Sequence, residues 1–211
     1  MRNTGNSFID YLFIAVTFLP LIPAILTLFS NFSKEPFNLI LIICLVNFLR
    51  DIPTHLHMLV PENQAVLNNI CFPIELSLLA RLFRPTLTTS GRYISTLLQI
   101  AFLSSILTWL SVKGFASSGP GLESIKNGAL LLVILVSLPP IVQAKGIDLL
   151  RSPLFWMAGG TLFYLLIVLL LDWVSTPFLS AENCIFLSLA SIARYLMYSL
   201  AAWPHQDELP L

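Results

Sequence analysis

Charged residues are scarce in this chain of 211 residues, which has 11 Lys or Arg and 11 Asp or Glu, 10% of the total. A soluble domain carries roughly 25% charged residues and could not cover its surface with so few. The two signs cancel to a formal net charge of zero, so neither nucleic acid nor an anionic surface is indicated as a partner. This scarcity of charge predicts a protein that lies in lipid.

Cysteine and histidine are also rare, with three residues of each. Cys44, Cys71 and Cys184 all fall inside apolar runs, which favours small buried residues over a disulfide framework or a metal cluster. His55 and His57 would point about 200° apart on a helix, a poor arrangement for binding one ion. The signatures H-E-x-x-H and G-x-S-x-G are missing from the sequence. We therefore expect no metal ion and no cofactor.

Long apolar runs are what the chain has in abundance, and hydrophobic residues make up 56% of it. A helix of about 20 apolar residues crosses a hydrocarbon core of about 30 Å. Because lipid offers no partner to an unpaired backbone group, each run is predicted to be a helix. Seven such runs are present, at 8–29, 37–58, 65–84, 92–112, 120–143, 152–174 and 181–203. The sequence thus predicts an all-α, polytopic integral membrane bundle of seven transmembrane helices, in one domain over 1–211.

The distribution of basic residues predicts how the bundle is oriented. Seven spans place the two termini on opposite sides of the membrane. The first, third and fifth connections hold Lys34, Arg84, Arg92, Lys145 and Arg151, whereas the other side holds Arg2, Lys113 and Lys126, with Arg50 near it. This excess predicts an inner-membrane protein with its N-terminus outside and its C-terminus in the cytoplasm. The first run has no basic segment before it, so we expect a permanent helix and not a signal peptide.

Polar residues recur at helical spacing within the predicted spans. A charged group at the bilayer centre costs roughly 2.5 kcal/mol or more, so such residues should face the bundle interior. The candidates on five spans are Asp51, Asn68, Glu75, Glu123, Asn127, Tyr164, Asp172, Arg194 and Tyr198. We predict that they line a polar cavity that opens toward the outer face. Interhelical hydrogen bonding alone, worth about 0.6 kcal/mol per contact, is the competing explanation.

Glu75 is the most central of these candidates, about ten residues or ~15 Å into its helix. Pro73 removes a backbone N–H two residues earlier, so a kink is expected beside the carboxylate. Arg194 is placed somewhat nearer the inner face, but its long side chain can reach Glu75, so an ion pair between the two residues is predicted. The alternative is that Glu75 faces the cavity without a cation. Gly159 and Gly160, on the sixth span, permit close approach of a neighbouring helix.

Three segments resemble a known group of proteins. They are residues 68–84 (NNICFPIELSLLARLFR), residues 121–138 (GLESIKNGALLLVILVSL) and residues 151–170 (RSPLFWMAGGTLFYLLIVLL), and a tyrosine-rich last helix follows them. The pattern resembles small seven-helix membrane proteins of Bacteroidetes-type bacteria. This resemblance implies a bacterial inner-membrane setting and draws attention to Glu75, Glu123 and the helix start at residues 152–156. It implies no particular activity.

The polar cavity is compatible with functions of different classes. Our main hypothesis is that the cavity binds a small molecule or a membrane lipid, as a sensor-like or accessory module with a membrane partner subunit. The alternative is an intramembrane enzyme that acts on lipids, with Glu75, Asp51 and Asp172 as acid and base groups and a metal ion at His55 or His57. A small transporter is a third hypothesis.

Overall fold

The structure, a computed structural model, describes residues 7–29, 35–55, 60–117, 119–143, 149–174 and 180–203. All regular elements in these ranges are helical, as predicted. The α-helices are α1 (Ser7–Phe18), α2 (Leu21–Phe29), α3 (Glu35–His55), α4 (Pro61–Phe83), α5 (Thr89–Lys113), α6 (Pro120–Gln143), α7 (Pro153–Val174) and α8 (Ser180–Ala201). Short 3-10 helices lie at Arg84–Thr86 and Leu149–Arg151.

Within the described ranges, six helical segments are long and apolar enough to cross a membrane. They are Tyr11–Phe29, Pro36–Pro53, Glu62–Thr86, Thr89–Lys113, Gly121–Gln143 and Pro153–Leu171. The seventh predicted span corresponds to α8, whose apolar segment Ile185–Ala201 is shorter. The all-helical prediction is therefore confirmed for these ranges, and six of the helical segments have the length and composition of membrane spans.

The first predicted span is not one continuous helix. It breaks at Leu19 and Pro20, between α1 and α2. Pro20 has no N–H to donate to the preceding turn, and the chain restarts through a bond of 3.0 Å from the Ile22 amide to the Leu19 carbonyl. By contrast, α4 continues through Pro73, and α6 continues through both of its internal prolines.

The described helices form a closed ring with six members. In order around the ring, the neighbours in contact are the α1/α2 pair, α3, α4, α6, α7 and α8, and α8 returns to α1 and α2. Helix α5 lies outside this ring, where it packs mainly on α6 and keeps most of its surface exposed. Large apolar residues fill the space between the helices, among them Ile43, Leu76 and Met157. Polar side chains on the inner faces of α3, α4, α7 and α8 are thereby brought together.

Helices α7 and α8 approach each other closely at Gly159 and Gly160, which lie on α7. A Cβ added to Gly160 would be 3.0 Å from the Met197 Cβ and 3.1 Å from the Arg194 carbonyl oxygen. The same addition at Gly159 would meet only the Met197 sulfur, at 3.9 Å. The predicted close approach is thus confirmed, and it depends on Gly160. Because the contact includes the backbone of Arg194, it also fixes the position of that residue.

A buried amide on α4 holds the connection between α5 and α6. Helix α5 ends at Gly114, whose φ of 90° suits glycine and is strained for other residues. The chain then passes over α4, where Asn69 Nδ2 donates to the carbonyls of Phe115 (2.9 Å) and Ser117 (3.0 Å). Asn69 is 3% exposed. This side chain therefore anchors the start of α6 to α4.

Replacing Asn69 by Ala is expected to lower the free energy of unfolding by about 1 to 2 kcal/mol, because two carbonyl acceptors lose a buried donor. Denaturant titration of the detergent-solubilised protein measures this loss. Asn68→Ala, at the half-buried neighbouring position, serves as the control and should change stability little. Equal losses in the two variants would contradict the anchoring role of Asn69.

Candidate functional site

A carboxylate lies at the centre of the ring. Glu75 sits near the middle of the span Glu62–Thr86 and is 1% exposed. A charged carboxylate at this position needs partners, since bare burial costs several kcal/mol. It receives donors from α3, which is its neighbour in the ring, and from α8, which lies across the ring.

Two arginines share this carboxylate. Arg194 of α8 donates from Nη2 to Glu75 Oε1, and this confirms the predicted ion pair. Arg50 of α3 donates from Nη1 to Oε2 at 3.1 Å. Asn47, one turn before Arg50, makes a long contact of 3.5 Å from its Nδ2 to Oε1. Both oxygens of Glu75 are therefore engaged.

A second carboxylate completes the charge balance. Asp51 Oδ1 accepts from Arg50 Nε at 3.0 Å, and its Oδ2 accepts from the Tyr195 hydroxyl at 3.3 Å. We call Arg50, Asp51, Glu75 and Arg194 the charged cluster. Its two guanidinium groups and two carboxylates sum to zero, which lowers the cost of placing four charges between apolar helices.

Tyrosine rings surround the guanidinium group of Arg194. Its central carbon lies 5.1 Å from the ring centre of Tyr164, 5.2 Å from that of Tyr198 and 5.9 Å from that of Tyr195. Arg194 Nε also donates to the Tyr198 hydroxyl at 3.0 Å, and that hydroxyl shares a hydrogen bond of 2.6 Å with Thr161 Oγ1. Cation–π attraction is strongest when the cation is desolvated, as it is here. These contacts hold Arg194 in one orientation.

A cavity of about 180 Å³ adjoins the charged cluster, between α1, α3, α7 and α8. Phe13, Val16 and Leu187 supply its apolar wall. The polar wall consists of Ser188, Ser191 and Tyr164, together with Arg50, Asp51, Arg194 and Tyr195. The serines precede Arg194 on α8, so the cavity extends from the cluster toward the membrane face at which α8 begins.

Several polar groups at this site have no hydrogen-bond partner within the described part of the chain. They are the Nη1 atom of Arg194, the hydroxyl of Tyr164 and the hydroxyl of Ser191, all on residues that line the cavity. The Asn47 Oδ1 atom differs from these groups because it is fully buried, and it has no partner among the described residues. Tyr164 and Ser191 are half-buried, and polar groups that line a cavity without a protein partner are able to bind another molecule that enters it.

Five of the nine predicted site residues come together at this site: Asp51, Glu75, Tyr164, Arg194 and Tyr198. Three others do not contact them. Asn68 and Asn127 are half-buried elsewhere, and Glu123 is half-exposed at the start of α6, where it accepts from Lys126 at 2.7 Å. The side chain of Asp172 lies outside the described residues, as do those of His55, His57 and Cys184.

Sequence reasoning missed the role of Arg50, which was placed at the outer side of the membrane. The signal that could have found it is local: Asn47, Arg50 and Asp51 follow the spacing i, i+3, i+4 and therefore share one helix face. Tyr195 was likewise not among the predicted site residues. Its partner, Asp51, is 144 residues away in sequence.

Each of the four oxygens of the two carboxylates in the charged cluster accepts a hydrogen bond from a neighbouring side chain. This engagement leaves neither carboxylate ready to take a proton from a substrate, which does not favour the enzyme hypothesis. Among the residues with described side chains, no three His, Cys, Asp or Glu could hold a metal ion. The cavity therefore presents fixed hydrogen-bond donors on one wall and apolar side chains on the other.

No family model, curated protein or solved structure matches this chain.

Proposed function

We propose that this chain is a seven-helix inner-membrane protein whose central cavity binds a small molecule, as a sensor-like or accessory module. The observation that carries the proposal is the cavity beside the charged cluster, with unpaired donors on three of its lining residues. Pure interhelical bonding would leave no reason for these groups to lack partners. A partner subunit in the membrane would receive the signal.

The size of the cavity favours a small molecule over a lipid. Sites for drug-sized ligands measure about 300 to 1,000 Å³, whereas this cavity measures about 180 Å³. A lipid could insert at most a part of its headgroup. The position of the cavity on the α8-start side of the cluster, combined with the predicted orientation, supports entry from the outer face.

The binding proposal is tested by identifying small molecules that co-purify with the protein, using native mass spectrometry. Leu187→Phe adds volume to the apolar wall and should abolish a co-purifying mass that the parent protein carries. Leu189→Phe is the matched control, since Leu189 lies on the same helix and is 51% exposed at the lipid-facing surface. A mass retained in Leu187→Phe, or the lack of any bound mass in the parent protein, would count against binding in this cavity.

The proposed orientation has its own test. A reporter that is active only in the periplasm should be active when fused before Met1 and inactive when fused after Leu211. A cytoplasmic reporter should give the opposite pattern. Termini found on the same side would rule out seven spans, and an inverted pattern would place the cavity on the cytoplasmic side of the cluster.

A further inference from the structure

We infer that the cavity takes a small neutral molecule that accepts hydrogen bonds through oxygen, such as a carboxamide, ketone or alcohol. This inference rests on the proposed binding function and specifies the chemical class of the ligand.

The unpaired groups determine which end of the ligand faces the charged cluster. Arg194 is 3% exposed, yet its Nη1 has no partner among the described residues, and a guanidinium nitrogen only donates. The hydroxyls of Tyr164 and Ser191, on the same cavity wall, are able to donate as well. A ligand that satisfies these groups must present one or two acceptor atoms to them.

The charge balance of the site excludes an ion. Two guanidinium groups and two carboxylates already neutralise each other, so a charged ligand would bring a net charge into a low-dielectric interior. An anion would in addition be repelled by Asp51, and a cation would be repelled by Arg50 and Arg194. All three residues line the cavity. A neutral acceptor gains the hydrogen bonds without either penalty.

The remaining walls fix the rest of the ligand. Phe13, Val16 and Leu187 favour a short apolar body opposite the polar end. An engineered apolar cavity of about 150 Å³ accommodates benzene, so the 180 Å³ measured here suits a molecule of roughly six to ten non-hydrogen atoms.

Three probes with the same four-carbon chain separate the classes: butanamide is neutral, butanoate is an anion and butylammonium is a cation at pH 7. Each is added at millimolar concentration to the full-length protein in detergent, and the melting temperature is measured. A ligand that binds the native state raises the melting temperature with a saturable dependence on concentration. We expect this increase with butanamide and not with either ion.

Two substitutions that keep the size of the side chain test the donors. Tyr164→Phe and Ser191→Ala should each weaken butanamide binding about two- to tenfold, because each removes one hydrogen bond. Tyr93→Phe is the control, since Tyr93 lies on α5 outside the ring and is 70% exposed. Its butanamide affinity should equal that of the parent protein.

Different failures point to different conclusions. Binding of butanoate or butylammonium that equals or exceeds that of butanamide would overturn the neutral class but leave the proposed binding function standing. Unchanged affinity in both donor variants would overturn the assignment of Tyr164 and Ser191. A lack of response to all three probes would also overturn the inference, while the co-purification experiment decides separately whether the cavity binds a small molecule.

Discussion

Replacing Glu75 by Gln is expected to lower the free energy of unfolding by about 3 kcal/mol, the largest effect of any single substitution considered. The change leaves the guanidinium of Arg194 buried without its anion, and it removes the second anion from Arg50. Breaking a buried ion pair by removing one partner costs about 3 to 5 kcal/mol in soluble proteins. The smaller value of about 0.6 kcal/mol for hydrogen bonds in membranes does not apply, because a net charge remains.

A double-mutant cycle identifies the cause of this loss. Arg194→Met removes the cation left by Glu75→Gln, and Arg50 still has Asp51 as its partner. Tyr198 also keeps its hydrogen bond to Thr161. The double variant should therefore recover more than half of the stability lost in Glu75→Gln. Glu62→Gln, on the exposed first turn of the same helix, should change little. Additive losses at Glu75 and Arg194 would contradict the pairing.

Replacing Gly160 by Ala is expected to cost about 2 kcal/mol, because the new methyl group would lie 3.0 Å from Met197 Cβ and 3.1 Å from a backbone oxygen. Helix α8 must move away from α7 to accommodate it, and Arg194 moves with α8. Gly159→Ala is the adjacent control, with its nearest neighbour at 3.9 Å. It should be neutral or stabilise slightly, since alanine loses less entropy than glycine on folding. Denaturant titration compares the two variants, and equal effects would argue against close packing at Gly160.

The parts of the fold that follow from local chemistry could be predicted from the sequence. Lipid allows an isolated apolar run only one conformation, so run lengths predicted the helices to within a few residues. For example, the predicted 120–143 coincides with α6 (Pro120–Gln143). A proline within an apolar run predicts a kink, but the sequence does not say whether the helix continues through it, as at Pro73, or ends there, as at Pro20.

The site residues could be predicted only where the depth of a residue in the membrane decides which side chains can contact each other. The ion pair between Glu75 and Arg194 was predicted because a charge near mid-membrane needs a partner and the long arginine side chain can reach that depth. Depth does not say which helices are neighbours. The spacing i, i+3 did allow a local pair of Glu123 with Lys126, but depth alone gave no reason to prefer that pair to a place in the cavity. Nor could spacing reveal that α5 lies outside the ring, because its serines and threonines resemble an inward-facing stripe. Their hydroxyls instead bond to carbonyls of their own helix, as Ser105 does to Ala101.

The sharing of Glu75 between two arginines has a consequence for the order in which the chain enters the membrane. Arg50 lies 25 residues before Glu75, on the preceding helix, whereas Arg194 lies 119 residues after it. Domains form from the N-terminus during synthesis, so α3 and α4 can insert as a hairpin whose acid and base already neutralise each other. That local pair reduces the cost of inserting Glu75 long before α8 is made. Arg194 is the last of the four charged residues to be made, so the charged cluster is complete only after α8 has joined the ring.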